Sequence, residues 1–110
     1  MRDHDYWVYI VTNKTGSTLY IGMTNDLKRR VQEHRGGKVK GFTQRYLLAR
    51  LVWFEHFRDV RDAIACETKL KGWLRAKKVA LIAEKNSRWV DLSEEWFAEV
   101  LSVDRGKEFL

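Results

Sequence analysis

The chain has 110 residues, 45% of them hydrophobic, and 21 Lys and Arg against 15 Asp and Glu, for a formal charge of +6. That length suits one domain with a modest core; the apolar fraction excludes a disordered tail, and no uncharged apolar run nears the roughly 18 residues of a membrane span. Six surplus positive charges on so small a body favour a polyanionic partner, of which nucleic acid is the commonest.

Residues 6–12 (YWVYIVT) and 19–23 (LYIGM) are rich in aromatic and β-branched side chains, and the Asn-Lys-Thr-Gly-Ser stretch between them is turn chemistry. The pattern predicts a β-hairpin. A four-residue loop at 13–16 pairs Thr12 with Ser17 and sets Tyr9 directly opposite Tyr20 on one face of the sheet. Thr24, Asn25 and Asp26 are all good caps for a helix over residues 27–34, where Leu27, Arg30, Val31 and His34 fall on one face. A cation and a histidine on the inward side call for a reason. Residues 35–46 (RGGKVKGFTQRY) read as a basic loop, and residues 51–57 (LVWFEHF) as a third strand.

Asp59 caps a predicted helix over residues 60–74, with Val60, Ala63, Ile64, Leu70 and Leu74 on its apolar face and Glu67 in the middle of that stripe. A carboxylate buried there without a partner costs several kcal/mol, so Glu67 must meet a cation, a metal or a hydrogen-bond donor, or face a cleft. Residues 75–85 (RAKKVALIAEK) form another basic helix, and Asp91 or Ser93 caps a last one running to Leu101. Charge is unevenly spread. Residues 28–50 hold eight basic side chains against one acid, residues 69–88 seven against one, and residues 91–110 six acids against two bases.

Cys66 is the single cysteine and the histidines are scattered, which excludes an internal disulfide and a Cys/His zinc centre. The opening MRDHDYW lacks the basic and apolar regions of a secretory leader, so a cytoplasmic location is expected. No phosphate-binding glycine loop, serine-hydrolase elbow or His-Glu-x-x-His is found. What remains are two hairpin tyrosines, an inward arginine and histidine, and one misplaced carboxylate, groups that together can surround a phosphate. An arginine fork grips a phosphodiester, a carboxylate holds Mg²⁺ with most of its waters, and a tyrosine oxygen of lowered pKa accepts a proton from water.

The run VYI at 8–10, YIG at 20–22, Arg30 ten residues after Tyr20 and Glu67 on a later helix resemble the GIY-YIG nuclease superfamily. More closely, YWVYIVTN, LYIGMTNDLKRRVQEH, LVWFEHF and KLKGWLRAKKVALI look like its small stand-alone bacterial proteins, over nearly all of the chain up to Leu92. The resemblance implies an α/β fold, a three-stranded antiparallel sheet flanked by helices, with the nuclease-like domain at 1–92 and an acidic helix or tail at 93–110 packed on it or extending from it. It implies Mg²⁺- or Mn²⁺-dependent cleavage of phosphodiester bonds. Tyr9 and Tyr20 match the motif tyrosines, one of them the general base; Arg30 matches the phosphate-binding arginine, Glu67 the metal ligand, His34 an assisting histidine and Asn86 a downstream asparagine. Two positions depart from the pattern. The glycine of the first motif is replaced at Trp7 or Val8, and Met23 stands where some relatives carry a lysine.

The expected function is a DNA endonuclease of low sequence specificity, selective for structure and linked to repair or recombination, with RNA left open as a substrate and no membrane contact. Arg29, Arg35, Lys38, Lys40, Arg45, Lys71, Lys77 and Lys78 are the candidate backbone contacts, with Asn86 beside them. Two alternatives stand beside it: a binding module of the same fold with little or no turnover, and an adaptor that docks a protein partner through the acidic end. Each site residue also has a structural reading. The tyrosines can be cross-strand packing, Arg30 and Glu67 one buried salt bridge, and His34 a satisfied core histidine; Cys66 and the tryptophans at 53, 73, 89 and 96 read as packing.

Overall fold

Strand β1 (Tyr6–Thr12) is central: it pairs antiparallel with β2 (Leu19–Thr24) on one side and β3 (Arg50–Phe57) on the other, giving the order β2-β1-β3. The computed structural model describes residues 5–36 and 50–97. Helix α1 (Leu27–Arg35) follows β2, while α2 (Val60–Lys71), α3 (Arg75–Lys85) and a 3-10 turn (Glu94–Phe97) follow β3. The chain therefore has the expected α/β architecture, a three-stranded antiparallel sheet flanked by helices.

Alternation along β1 divides the core into two layers. Val8 and Ile10 point to one face, where they meet Ile21, Val52 and Trp53 of the sheet, Ala63 and Leu70 of α2 and Ile82 of α3. Tyr9 and Val11 point to the other, against Leu51 and against Leu27 and Val31 of α1, with Trp7, Tyr20, Phe54, Leu92 and Trp96 around them. Every residue of β1 from Val8 to Thr12 is inaccessible to solvent. A bulge opposite Ile10 and Val11 lets neighbouring residues Val52 and Trp53 both enter the first layer.

The hairpin register differs from the expected one. Tyr9 stands opposite Gly22 and Tyr20 opposite Val11, because the loop spans residues 13–18 and not 13–16. Thr12 donates its hydroxyl proton to the Thr18 carbonyl at 2.7 Å, and the Thr18 N–H donates to Asn13 Oδ1 at 3.1 Å, so the longer loop is closed by its own polar groups. A slip of two residues preserves the face. Both tyrosines remain on the α1 side.

Helix α2 also departs from expectation. It ends at Lys71, with Gly72 after it, and rests on the sheet along the line of Ala63 and Leu70, with Cys66 packed against the same layer. The predicted stripe is thus rolled: Val60 and Ile64 are exposed, and Leu74, outside the helix, is 83% exposed. In place of a helix from 93 onward, the described part of the C-terminal segment forms the 3-10 turn. Asp91 Oδ1 accepts from the N–H groups of Leu51 (3.1 Å) and Ser93 (3.0 Å) and from the Ser93 hydroxyl (2.6 Å). With the Leu92 N–H bonded to the Leu51 carbonyl at 2.8 Å and Ser93 buried, the segment begins docked on β3. Most of the predicted basic loop, with Lys38, Lys40 and Arg45, and the chain beyond 97 lie outside the described residues. No described helix is long and apolar enough to cross a membrane.

Candidate active site

Asp26 caps α1 by accepting the Arg29 N–H at 3.2 Å, and this fixes the phase of the helix against the sheet. Leu27, Val31 and His34 are buried by that phase, while Arg30, on the same stripe, stays partly open at the rim. The Tyr9 hydroxyl and His34 Nε2 lie 2.9 Å apart in a fully buried hydrogen bond. The Tyr20 ring packs edge-on against His34 with centroids 5.0 Å apart, and lies 6.3 Å from the Tyr9 ring. Gly22 makes this arrangement possible. A Cβ at that position would stand 2.4 Å from the Tyr9 hydroxyl oxygen and 3.0 Å from Tyr20 Cε1, so the bare backbone of β2 is the floor on which both phenols lie.

The electrostatics follow from burial. Burial pushes the Tyr9 phenol up to about 12; the Arg30 guanidinium beside it pulls the other way, and Tyr20 and the Glu67 carboxylate add to the rise. Burial, then the charge of Arg30, brings His34 down to about 4, so its imidazole is neutral at physiological pH. Its Nδ1 has no hydrogen-bond partner among the described residues. The neutral imidazole 2.9 Å from the phenol is placed to accept its hydrogen bond, but lowered to about 4 it is a weak base for the phenol's proton.

Glu67 comes from α2, which packs on the opposite face of the sheet and touches the edge strand β2, and its charge reaches the Tyr9 phenol. Its side chain is 21% exposed and pairs with Lys71 one turn on, at 3.2 Å, while Arg30 pairs with Glu33 at 3.1 Å. The single buried Arg30–Glu67 salt bridge of the structural reading is therefore not formed. Lys71 and Lys78 join Leu19, Tyr20 and Ile21 around an open cavity of about 290 Å³ at that edge. Tyr9, Tyr20, Arg30 and His34 thus form one contiguous cluster, with Glu67 close enough for its charge to act on the Tyr9 phenol. Among the described residues no group of three or more His, Cys, Asp and Glu side chains is gathered to hold a metal ion. A metal held beside the cluster would find Glu67 as a carboxylate ligand with water completing its shell, which would suit a hard cation such as Mg²⁺ that needs only one or two protein oxygens.

The candidate nucleic-acid residues divide. Lys71 and Lys78 line the cavity beside Tyr20, and Arg29 is exposed on α1, 3.9 Å from Glu33. Lys77 holds its ammonium 4.3 Å over the Trp73 ring. Arg35 pairs with Asp91 at 3.1 Å, which ties the end of α1 to the C-terminal segment. Asn86 is a correction: it is buried at the end of α3, where its amide donates to the carbonyls of Val52 (3.1 Å) and Val90 (2.9 Å) and accepts from the Val90 N–H (3.0 Å). All of its groups face backbone at the β3 edge, away from β2. Sequence reasoning missed the role of Gly22, visible only once the register is known. It also passed over the Glu67–Lys71 pair, although the four-residue spacing on a helix signals it.

Comparison with known proteins shows the family and the fold. The chain is 36% identical to a UPF0213 protein of Bacillus pumilus, over 76% of this chain and 85% of that one. It is 35% identical to the UPF0213 protein YsiG of Lactococcus lactis, over 94% of each. The solution NMR structure of a UPF0213 protein from Bacillus halodurans matches with a TM-score of 0.52 and 32% identity, covering 77% of this chain and 89% of that one. Residues 5–80 match the GIY-YIG catalytic domain, the span that contains both tyrosines, Arg30, His34 and Glu67, and the chain belongs to that family.

Proposed function

We propose that the protein is a cytoplasmic, divalent-metal-dependent endonuclease that cleaves DNA phosphodiester bonds with low sequence specificity, selects for structure, and serves repair or recombination. The observation that carries this reading is the Tyr9–His34 hydrogen bond set beside Arg30 and Tyr20 in one cluster. Arg30 supplies a fork for the scissile phosphate. Tyr9 takes a proton from the attacking water while its own proton passes to His34 Nε2, and the water oxygen bonds to phosphorus as the leaving oxygen departs. A phenol shifted up to about 12 holds its proton at neutral pH, so it serves as a base only by handing that proton on, and His34 is the acceptor in reach. A phosphate on Arg30 offsets the guanidinium charge that helps to depress His34, so the imidazole becomes a better acceptor when substrate binds. Tyr20, Lys71 and Lys78 line the approach for the strand. Glu67 would hold Mg²⁺ or Mn²⁺, which when bound stabilises charge on the phosphate oxygens.

The test is incubation with supercoiled, linear, branched and single-stranded DNA plus Mg²⁺ or Mn²⁺, beside Glu67→Ala, Arg30→Ala, Tyr9→Phe and Tyr20→Phe. Expected is metal-dependent nicking that Glu67→Ala, Arg30→Ala and Tyr9→Phe abolish. Nicking that survives Glu67→Ala sinks the site, and nicking lost in Tyr20→Phe but kept in Tyr9→Phe transfers the base to Tyr20. Salt-sensitive binding without nicking favours a binding module, and absence of both favours an adaptor docking through the acidic segment.

A further inference from the structure

Leu74 is the wrong residue for stability in its position, for two separate reasons. It occupies the N-cap of α3, where Ser, Thr, Asp or Asn satisfies the free N–H groups of the first turn, and it makes no side-chain cap. It is also 83% exposed. An exposed leucine by itself is ordinary surface. A leucine that leaves a helix uncapped and also stands in water points to something outside the fold.

Its surroundings hold it out stiffly. The Trp73 N–H bonds to the Leu70 carbonyl at 3.1 Å, and the Leu74 carbonyl accepts from the N–H groups of Lys77 (3.1 Å) and Lys78 (3.3 Å). Trp73 packs against the core, and Arg75 grips the hairpin loop through the Gly16 (2.6 Å) and Ser17 (3.1 Å) carbonyls. The turn between α2 and α3 is thus clamped on both sides of Leu74. Cations surround it in sequence, with Lys71 before and Lys77 and Lys78 after, and Lys71 and Lys78 are the same two that line the cavity beside Tyr20. An apolar tip among cations that line a cleft matches the chemistry of side chains that insert between base pairs, while a backbone strand is held alongside.

We infer that Leu74 is a wedge that inserts at a base step of duplex DNA next to the cleft, favouring sites where stacking is already weak, such as nicks and bulges. The inference rests on the DNA-binding reading of the cleft and gives its structure selectivity a source. Unstacking is cheapest where a duplex is already interrupted, so the wedge converts a shape difference into a binding difference.

The test uses the full chain without divalent cation and duplexes carrying 2-aminopurine beside a nick, a bulge or an unbroken step. Binding is read by anisotropy and unstacking by 2-aminopurine fluorescence. The wild type is expected to raise the fluorescence severalfold at the nick and bulge. Leu74→Ser, which restores a cap and raises the urea midpoint, is expected to lose that rise and the preference over unbroken duplex, while Leu74→Phe keeps both. An equal rise with Leu74→Ser overturns the wedge, as does wild-type binding with no rise. Failure of the wild type to bind any DNA removes the cleft reading and the wedge with it. Sedimentation of the wild type, but not of Leu74→Ser, with anionic phosphatidylglycerol vesicles, with the fluorescence unchanged between them, overturns it in favour of a lipid contact.

Discussion

Gly22→Ala tests whether the cluster is held as described. The backbone at Gly22 is not in the left-handed region, so the substitution is a question of space. The added methyl would meet the Tyr9 hydroxyl oxygen at 2.4 Å and Cζ at 2.6 Å. The ring must retreat by about 1 Å to reach ordinary van der Waals contact. Tyr9 is fully buried, so that retreat compresses its neighbours and breaks the 2.9 Å bond to His34. Overpacking costs about 1–3 kcal/mol, and the lost bond between buried groups about 1–3 kcal/mol, so the sum is about 2–6 kcal/mol against a total stability of roughly 5–15 kcal/mol for a domain. Urea unfolding reads the loss. In a Tyr9→Leu background, where the end of the ring is absent, the same substitution is expected to cost less than about 1 kcal/mol, because the clash partner is gone. An undiminished cost in that background places the penalty in the backbone and refutes the reasoning, and so does a Gly22→Ala protein that unfolds with the wild type.

The other predictions concern protons, polar anchors and salt. His34 falls from 6.5 to about 4 on folding, so the unfolded chain takes up the proton first: stability is full above pH 6.5 and drains as pH falls toward 4, by up to about 3 kcal/mol. Urea midpoints measured between pH 7 and 5 check this, and His34→Gln is expected to lose the part of the slope due to the imidazole. Asn86→Ala leaves the Val52 and Val90 backbone groups without their partner and is expected to cost about 2–4 kcal/mol with DNA affinity unchanged. A loss of affinity in a still-folded Asn86→Ala protein would return the residue to the interface. Lys78→Ala is expected to reduce the slope of log affinity against log salt by about 0.9, the value of one phosphate contact. An unchanged slope removes Lys78 from the DNA path.

The local signals were strong where one element answers to its own residues. The strands, the Asp59 cap, a cap for α1 among Thr24, Asn25 and Asp26, and the bounds of α3 follow from side-chain type and spacing, because caps and pleats are satisfied within a few residues. The stripe of Leu27, Arg30, Val31 and His34 announced an inward histidine for the same reason, and the hydrogen bond to Tyr9 is what it meets there. The hairpin failed by two residues because loop closure by Thr12 and Asn13 competes with a tighter turn. The α2 stripe failed because the sheet, and not the helix's own pattern, selects which line of residues is covered.

The sequence by itself determined the elements, the surplus of positive charge and the residue types able to handle a phosphodiester. Tertiary structure decided which of them meet. Register set Tyr9 over Gly22, burial made the phenol weakly acidic and the imidazole neutral, and the packing of α2 gave Glu67 to Lys71 and left Arg30 with Glu33. Asn86 shows the limit most plainly. Its amide could have faced DNA or backbone with equal chemistry, and only the position of α3 against β3 commits it to backbone, because a buried amide must be satisfied by whatever groups the fold brings within reach.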